Sequence, residues 1–406
     1  MTDSRYDVAI VGGGIVGLAV ALEITKRFPR LRLLLLEKED RVGQHQSSHN
    51  SGVIHSGVYY KPGSLKARLC VEGAQAMVEF CRAHGISHQV CGKVIVATQE
   101  EEFPRLEELR RRGEANGLAG LRFIGNDELH DIEPHASGLR ALVVPSTGIT
   151  DYGAVCRKYA ELVSAQGGRI LTSTAVVGLQ RRGDEIVAET EGGALSAAFL
   201  INCAGLFSDR ISRMAGDEPQ VMIVPFRGEY YHLIPKRSSL VRSLIYPVPD
   251  PRFPFLGVHF TRRTNGVVDA GPNAVLALRR EGYQRTDFSL RDLASSLAFP
   301  GFWRMAAKHW RNGLDEFHRS LSKTAFVRAL QRLLPEVREE DLIPGGSGVR
   351  AQALRRDGTL VDDFQFVPSG KMLHVLNVPS PAATASLVIG RTIVRAAEDA
   401  LGFPSG

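Results

Sequence analysis

The chain has 406 residues, of which 44% are hydrophobic and 23% charged, and its formal charge is +6. This length exceeds what one compact core usually holds, so two domains are expected. The apolar runs are strand-sized and fall short of the roughly 20 residues that a membrane-spanning helix needs. Basic residues are dispersed, which excludes a clustered nucleic-acid surface, and the modest positive charge suits an acidic substrate or an anionic membrane.

The N-terminus and the cysteines indicate the compartment. No signal-peptide pattern precedes the first predicted strand. The cysteines lie at positions 70, 81, 91, 156 and 203, an odd number without a Cys-x-x-Cys pair. This usage is typical of reduced thiols in a cytoplasmic protein. Histidines and cysteines show no metal-ligand spacing, so we expect no metal site.

The predicted elements begin with a βαβ unit. Residues 8–11 predict a strand, Gly12 to Gly14 a turn, the next residues a helix to about Arg27, and residues 31–36 a second strand. The later predicted elements are helices near 100–117, at 155–166, over 291–334 and at 382–400, strands at 198–202 and 373–378, and β structure from 221 to about 271. For the last helix, Ser380 is the predicted N-cap and Pro381 the first helical residue.

The first strand leads into a glycine-rich turn with a dinucleotide-binding pattern. Residues 12–17 (GGGIVG) match Gly-x-Gly-x-x-Gly between a strand and a helix. Gly12 permits the tight turn, Gly14 lets the backbone approach a pyrophosphate, and Gly17 lets the helix pack closely on the strand. The helix N-terminus faces the phosphate charge. Glu37, which ends the second strand, is expected to accept hydrogen bonds from ribose hydroxyls and to repel a 2′-phosphate.

Later features favour FAD over NAD. A predicted strand ends in the small-residue turn Cys203-Ala204-Gly205, which allows close approach by a cofactor. A helix that starts at Pro381 presents backbone N–H groups and a positive dipole end, which stabilise the negative charge of a reduced flavin. A second Gly-x-Gly-x-x-Gly in a strand–turn–helix setting is absent, since Gly346-Ser347-Gly348 runs directly into Val349-Arg350. The sequence therefore predicts a flavoprotein that lacks a nicotinamide site.

Four longer strings resemble one family of flavoenzymes. They are residues 47–62 (SSHNSGVIHSGVYYKP), 254–261 (PFLGVHFT), 271–274 (GPNA) and 377–384 (NVPSPAAT). In these strings, and over nearly its whole length, the chain resembles the L-2-hydroxyglutarate oxidases and dehydrogenases of the D-amino-acid oxidase class. The resemblance implies FAD-dependent oxidation of the dicarboxylate L-2-hydroxyglutarate to 2-oxoglutarate. It also implies that electrons pass from FAD to oxygen or to a membrane quinone.

The implied fold is α/β (α+β), with a Rossmann-like FAD-binding domain and a substrate domain on a mixed or antiparallel sheet with helices. Because nucleotide-binding features lie at both ends and in the middle of the chain, we expect the domains to be interleaved. The FAD-binding domain is predicted to comprise 1–85, 145–222 and 346–406, and the substrate-binding domain 86–144 and 223–345. The residues expected to bind the cofactor are Gly12, Gly14, Ile15, Val16, Gly17, Glu37, Lys38, Ser47, Ser48, Asn50, Ser51, Gly52, Val53, Val176, Ala204, Gly205, Pro381, Ala382, Ala383 and Thr384.

Oxidation of a 2-hydroxy acid requires a base for the hydroxyl proton and a flavin for the hydride. His55 lies in a stretch expected beside the isoalloxazine, and His259 lies in an apolar run of the substrate-domain sheet. Both are candidate bases because imidazole titrates near neutral pH. The sequence leaves open which of the two is the base, and whether either has only a structural role.

A substrate with two carboxylates requires cationic or hydrogen-bonding anchors. Arg350 is the favoured anchor, because a guanidinium binds a carboxylate with two parallel hydrogen bonds. Tyr60 and Lys61 are candidates beside it, and Arg262, which follows the His259 strand, is a further one.

Two other functions stay open at this point. One is a related FAD-dependent amine or glycerol-3-phosphate oxidoreductase, which the glycine motif and the C-terminal helix fit equally well. The other is a flavin-bound assembly or tRNA-modifying factor, which the lack of a basic stripe disfavours. The strings around His55 and His259 favour a hydroxy acid. The oligomeric state is left open.

Residues 299–311 hold both tryptophans of the chain, Trp303 and Trp310. Their spacing of seven puts them on one helix face, with Arg304, Lys308 and Arg311 on another. This pattern predicts loose peripheral contact with an anionic leaflet at the inner face of the cell membrane. The alternative is an ordinary amphipathic helix that packs its tryptophans on the substrate domain or a second subunit.

Overall fold

The computed structural model describes residues 5–250 and 256–402. Pro254 and Phe255, the first two residues of one string above, lie outside these ranges. The α-helices of the described residues are α1 (Ile15–Arg27), α2 (Leu65–Ala83), α3 (Phe103–Ala115), α4 (Asn126–Ile132), α5 (Tyr152–Ala165), α6 (Ser208–Met214), α7 (Leu290–Ala298), α8 (Pro300–Leu321), α9 (Lys323–Gln331) and α10 (Ser386–Leu401). The strands are β1 (Tyr6–Val11), β2 (Leu33–Leu36), β3 (Val53–Ile54), β4 (His88–Gln89), β5 (Lys93–Ala97), β6 (Arg122–Ile124), β7 (Arg140–Val144), β8 (Gly148–Thr150), β9 (Arg169–Leu171), β10 (Val176–Arg182), β11 (Glu185–Thr190), β12 (Gly193–Asn202), β13 (Val221–Leu233), β14 (Leu244–Pro247), β15 (His259–Arg262), β16 (Val268–Gly271), β17 (Val275–Leu276), β18 (Leu342–Arg355), β19 (Gln365–Ser369) and β20 (Met372–Asn377).

The first sheet has a parallel centre in the order β9-β2-β1-β12-β20. Its central strands are buried on both faces, which explains why β2 reads as an unbroken run of four leucines. Helices α1, α2, α5 and α10 supply buried residues to the core on one face. The antiparallel strands β10, β11 and β19 extend the sheet. Parallel strands end at a common edge, so the loops after β1, β2 and β12 meet there.

The second sheet is mixed and mostly antiparallel, in the order β17-β13-β16-β15-β14-β5-β7-β6, with β18 paired to β13. One face packs against α9 and the following turn, where Phe326, Leu330 and Leu334 are buried. The opposite face carries Ile95, Leu142 and Tyr246 and packs against residues 53–59. A small third sheet has the strand order β3-β8-β4. Along the chain, β3 and β4 come between β2 and β5, and β8 comes between β7 and β9. The predicted α/β (α+β) class, with sheets of mixed parallel and antiparallel strands and helices, is confirmed.

The predicted domain boundaries at 222/223 and 345/346 fall inside β13 and β18. Both strands belong to the second sheet along their whole length, because they pair with each other from Val221↔Arg355 to Leu233↔Leu342. The sheets therefore suggest boundaries just before β13 and just after β18.

The start of the last helix differs from the prediction. The C-terminal helix α10 begins at Ser386 with Ala385 as N-cap, so the predictions of Ser380 as N-cap and Pro381 as first helical residue were wrong. Residues 379–385 form successive turns instead, closed by the bonds Ala382 N–H to Pro379 O and Ala385 N–H to Pro381 O. Residues 346–348, which run directly into Val349 and Arg350, belong with them to the long strand β18.

Candidate active site

The loop between β1 and α1 is held so closely that two of its glycines leave no room for a side chain. Gly12 has a φ of +111°, and a Cβ there would lie 2.5 Å from the carbonyl oxygen of Cys203. A Cβ on Gly17 would lie 2.0 Å from the Gly12 carbonyl oxygen. At Gly14 a Cβ would meet only Ser47 Oγ, at 3.4 Å. Protein atoms therefore leave the space before Gly14 open, as a pyrophosphate cradle requires.

Hydrogen bonds at the start of α1 fix two of the predicted cofactor residues. Ser47 Oγ accepts a bond of 2.9 Å from the Ile15 N–H, so this hydroxyl sits at the positive end of the helix. The Glu37 carboxylate accepts bonds of 2.7 Å from Gly13 N–H and 2.9 Å from Glu39 N–H. A carboxylate oxygen can accept more than one hydrogen bond, so Glu37 can also accept hydrogen bonds from ribose hydroxyls.

A cavity of about 710 Å³ opens at this edge of the first sheet. It brings together many of the residues predicted to bind the cofactor, namely Gly12, Gly14, Glu37, Lys38, Ser47, Val176, Ala204 and Gly205. Sequence reasoning missed other lining residues, namely Gln44, His45, Gln46, Thr174, Phe207, Arg210, Arg213 and Glu281. Two of these, Arg210 and Arg213, lie one turn apart on α6. The signal available in the sequence was this pair of basic residues shortly after the small-residue turn at Ala204.

A smaller cavity of about 260 Å³ lies on the other side of Ser47 and is lined by Ser48, Asn50, Ser51 and Gly52. Arg263 closes it from the second sheet, since its Nη2 donates to Asn50 O at 3.0 Å. The loop of residues 47–52 is therefore shared between the two cavities and tied to both sheets.

The N-terminal and C-terminal parts of the chain meet beside His55. The hydroxyl of Thr384 accepts a bond of 3.1 Å from the His55 N–H and lies 3.0 Å from the hydroxyl of Tyr152. Tyr152 in turn donates to the Val53 carbonyl at 3.0 Å. Pro381, Ala382 and Ala383 form the turn that leads into Thr384. The predicted flavin-end residues Val53 and 381–384 thus lie together, although 328 positions separate Val53 from Pro381 along the chain.

The two candidate bases face the same region. His259 is 6% exposed, and its ring stacks on Tyr246 with centroids 3.9 Å apart. His259 Nδ1 lies 2.9 Å from the Gly257 carbonyl oxygen. Because a carbonyl only accepts, Nδ1 carries the proton in this tautomer and Nε2 is left unprotonated. His55 Nδ1 is buried and has no hydrogen-bond partner among the described residues.

Both histidines are neutral at physiological pH. Burial, together with the charges of Lys93 and Arg350, lowers the pKa of His55 to about 3. Burial also lowers the pKa of His259 to about 3, with Arg350 and Lys93 again acting in that direction. A neutral imidazole accepts a proton, and anions that neutralise the nearby cations raise its pKa.

The predicted anchors Arg350 and Arg262 have different surroundings. Arg350 lies on β18, and its charge acts on His55, on His259 and on the buried hydroxyl of Tyr60. Lys61 is exposed beside Tyr60. Arg262 points elsewhere, because its Nη1 donates to Ser238 O and Val241 O at 3.1 Å each. A guanidinium engaged with two backbone carbonyls holds a loop, so we leave Arg262 out of the proposed site.

Sequence reasoning missed Lys93, the first residue of β5. It is 2% exposed and lies in the strand KVIVA, all five residues of which are buried. Its Nζ lies 4.3 Å from the ring centroid of Tyr59 and 4.9 Å from that of Tyr246. The signal available in the sequence was a charged residue opening a strand of otherwise buried apolar residues.

One group of potential metal ligands occurs among the described residues, Glu39, His45 and Glu281. The Lys38 ammonium lies within it, 2.8 Å from Glu281 Oε1 and 3.1 Å from His45 Nε2, and it also bonds to Glu39. The lysine supplies the positive charge that balances the carboxylates. This cluster joins a loop of the second sheet to the end of β2 at the mouth of the larger cavity.

Comparison with known proteins agrees with this geometry. The model of a family described as FAD dependent oxidoreductase (DAO) matches residues 7–396. The chain is 51% identical to an L-2-hydroxyglutarate dehydrogenase of Indibacter alkaliphilus over 96% of this chain and 98% of that protein. It is 45% identical to the L-2-hydroxyglutarate dehydrogenase of Escherichia coli K12, with 98% and 95% covered, and 45% identical to the human mitochondrial one, with 96% and 88% covered.

The chain belongs to this family of FAD-dependent oxidoreductases. Among solved structures, a reduced L-α-glycerophosphate oxidase from Mycoplasma pneumoniae with FAD bound has a TM-score of 0.80 at 20% identity, with 97% of this chain and 95% of that one covered. This likeness shows the shared fold. The cofactor is FAD, and the open cradle at Gly14, the Ser47 hydroxyl and the Glu37 carboxylate fit its pyrophosphate and ribose.

Proposed function

We propose that this enzyme oxidises L-2-hydroxyglutarate to 2-oxoglutarate. The observation that carries the proposal is the pair of buried neutral histidines, His55 and His259, set beside the cation Arg350 at the meeting point of the two sheets. A base next to a carboxylate anchor is the arrangement that a 2-hydroxy acid requires. The names of the curated relatives support the choice of substrate.

The chemistry divides between the protein and the cofactor. When bound, FAD supplies the acceptor for the hydride that leaves C2 of the substrate. Arg350 holds the neighbouring carboxylate through its two parallel donors and so fixes which face of C2 is presented. A histidine takes the hydroxyl proton, and the C–O single bond becomes the carbonyl of the 2-oxo acid.

His259 is the better placed of the two bases. Its bond to Gly257 O fixes the tautomer with Nε2 unprotonated, and stacking on Tyr246 fixes the ring plane. His55 has its backbone fixed by Thr384 and is the second candidate. In both cases burial keeps the pKa low in the free enzyme, and a bound dianion that neutralises the nearby cations raises it.

Anaerobic mixing of the purified holoenzyme with substrate tests the proposal. We expect the flavin absorbance to bleach with L-2-hydroxyglutarate, and 2-oxoglutarate to form in a 1:1 ratio to reduced flavin. The D-enantiomer, glycerol 3-phosphate and glycine serve as controls that represent the alternative functions. Bleaching by glycerol 3-phosphate or an amine, with none by L-2-hydroxyglutarate, contradicts the proposal.

Electrons must then leave the flavin for oxygen or for a membrane quinone, and the surface of α8 supports contact with a membrane. Trp303 and Trp310 are 58% and 56% exposed and lie on either side of a kink at His309, and Leu314, Phe317 and Leu321 are exposed as well. The tryptophans therefore do not pack on the core of their own chain. Basic residues of the same helix, Arg304, Lys308 and Arg311, are also exposed. Across the described ranges, every helix is too short or too polar to cross a bilayer.

We infer that α8 binds reversibly to an anionic leaflet, with aromatic side chains in the interface and basic ones at the headgroups. Cosedimentation with anionic and zwitterionic liposomes at low and high salt tests this. We expect binding to the anionic liposomes at low salt, weakened by salt and by Trp303→Ala/Trp310→Ala. The matched control is Leu139→Ala, an exposed apolar residue on another surface. A wild type that stays in the supernatant, and sediments as a dimer that the double variant abolishes, assigns this face to a second copy instead.

A further inference from the structure

Lys93 is a buried lysine that pairs with no anion in the part of the chain that the structure describes. It is 2% exposed, and its Nζ makes no hydrogen bond or ion pair with residues 5–250 or 256–402. Its neighbours are the faces of the Tyr59 and Tyr246 rings, at 4.3 and 4.9 Å. Burying an amine without a charged partner is costly, because aromatic faces replace only part of its hydration. A group retained at such a cost points to an anion that arrives from outside the chain.

The position of Lys93 is on the face of the second sheet that carries His259. The strand order β15-β14-β5 places His259, Tyr246 and Lys93 on three successive strands. The Tyr246 ring contacts both of the others, the His259 ring at 3.9 Å and Lys93 Nζ at 4.9 Å. Two strand spacings separate the backbones of His259 and Lys93 by about 10 Å.

Arg350 approaches the same histidines from the opposite end of that sheet. It lies on β18, beyond β13, and close to the cofactor loop, since a Cβ on Gly348 would lie 2.4 Å from His49 O. Two cations therefore face the pair of histidines from opposite sides, Arg350 next to the cofactor loop and Lys93 away from it. Because the charges of both residues act on both histidines, a molecule with an anionic group at each end that lies across the histidines meets a cation at either end.

We propose that Lys93 binds the carboxylate farthest from the reacting carbon of a dicarboxylic substrate, while Arg350 holds the carboxylate next to that carbon. This assignment rests on the function proposed above and makes Lys93 the residue that distinguishes a dicarboxylate from a monocarboxylate. Burial beside the rings of Tyr59 and Tyr246 lowers the effective dielectric around the ammonium, which strengthens its attraction for an anion.

Binding is coupled to proton uptake. Burial lowers the pKa of Lys93 to about 7, so part of the population is neutral at pH 8 in the free enzyme. The titratable groups that face it are Tyr59, Tyr246, His55, His259 and the buried thiol of Cys70. An incoming carboxylate favours the ammonium form, so the enzyme takes up a proton as the dicarboxylate binds above pH 7.

The test compares two substrates and two variants. Lys93→Met keeps the length of the side chain and removes the charge, and the apolar surroundings should accept it without loss of fold or FAD. Lys26→Met, on the exposed face of α1, is the matched control. The saturation of anaerobic flavin reduction is measured with L-2-hydroxyglutarate and with the monocarboxylate L-2-hydroxybutyrate. We expect Lys93→Met to weaken binding of the dicarboxylate roughly 10–100-fold. Binding of the monocarboxylate should change less than about threefold. With either substrate, the limiting rate of flavin reduction should fall by a smaller factor than the affinity of the variant for the dicarboxylate.

A second measurement does not depend on turnover. Calorimetric titration with glutarate at pH 8, in two buffers of different ionisation enthalpy, reports the protons taken up on binding. Wild type and Lys26→Met should take up a fraction of a proton that Lys93→Met does not. The role of Lys93 is overturned if Lys93→Met weakens binding of the dicarboxylate and the monocarboxylate equally. It is also overturned if the ratio of the two affinities and the proton uptake both stay as in the wild type. A wild type that is reduced by neither hydroxy acid refutes the proposed function itself, which is a different result.

Discussion

The cofactor end and the substrate end of this site are built by opposite means. The cofactor cradle comes from the loops that end three neighbouring parallel strands, and backbone atoms press so closely on Gly12 and Gly17 that no side chain fits. The proposed substrate face comes from side chains of strands that are distant in the chain, from Lys93 on β5 to Arg350 on β18. The first region is therefore sensitive to added volume, and the second to changed charge and proton affinity.

Glycine substitutions give the largest expected effect and separate fold from cofactor. At Gly17 a Cβ would lie 2.0 Å from a backbone oxygen, so Gly17→Ala should prevent α1 from packing and yield little folded protein. At Gly14 the nearest protein atom is Ser47 Oγ at 3.4 Å, so Gly14→Ala should fold but fail to retain FAD. Far-UV circular dichroism and the flavin-to-protein absorbance ratio check both. A yellow Gly14→Ala protein with full FAD content would show that the pyrophosphate does not approach Gly14.

Histidine substitutions should leave the cofactor in place and remove the chemistry. Replacing the base with alanine should slow flavin reduction by roughly 10²–10⁴-fold with FAD retained. We expect the larger loss for His259→Ala and the smaller for His55→Ala, because hydrogen bonding fixes the His259 tautomer. Stopped-flow anaerobic reduction measures both rates. If both single variants are reduced at the wild-type rate, neither histidine is the base.

A matched pair of arginine substitutions tests the anchor with a smaller effect. Arg350→Lys keeps the charge but loses the two-pronged donor geometry, so substrate affinity should fall roughly tenfold while FAD content is unchanged. Arg262→Lys is the control, since its guanidinium donates to Ser238 O and Val241 O and should affect thermal stability without changing affinity. The reverse pattern, with affinity lost only in Arg262→Lys, would exchange their roles.

The same contrast explains what the sequence could predict. The βαβ unit, Glu37 and the small-residue turn at Ala204 were predictable because each lies in a short contiguous segment whose spacing reflects backbone geometry. The start of α10 was placed five residues too early, at Pro381 instead of Ser386, because good capping residues do not exclude a preceding run of turns. The pairing of His55 with Thr384 depends on a meeting of two ends of the chain.

Lys93 and Arg262 show the corresponding limit at the substrate end. A lysine at the first position of a strand is usually solvated, and only the rings of Tyr59 and Tyr246 packing over it make Lys93 buried. An arginine at the end of the strand that carries a candidate base is an attractive anchor until its bonds to loop carbonyls are known. Local sequence carries the residue type in both cases, and tertiary packing decides its role.

The last and smallest expected effect concerns the stability of the substrate-free holoenzyme as a function of pH. Burial lowers the pKa of Lys93 to about 7 from an ordinary value of 10.5. Between these two values the unfolded chain binds more protons than the folded one, so the free energy of unfolding rises with pH across this window. Below pH 7 both states hold the proton, and the folded protein carries the full cost of the buried charge. Lys93→Met should therefore melt higher than wild type by roughly 2–5 °C at pH 6.5, with the gap narrowing by pH 9.

The neighbours of Lys93 do not confuse this measurement. His55 and His259, each with a folded pKa of about 3, affect stability only between that value and their ordinary 6.5. Burial raises the pKa of the Cys70 thiol to about 12 from 9.0, so its contribution begins above pH 9. Differential scanning fluorimetry of wild type, Lys93→Met and Lys26→Met at pH 6.5, 7.5, 8.0 and 9.0 isolates the lysine. A constant difference between wild type and Lys93→Met over this range would mean that Lys93 is already paired with an anion in the free enzyme, and it would then be unable to charge in response to substrate.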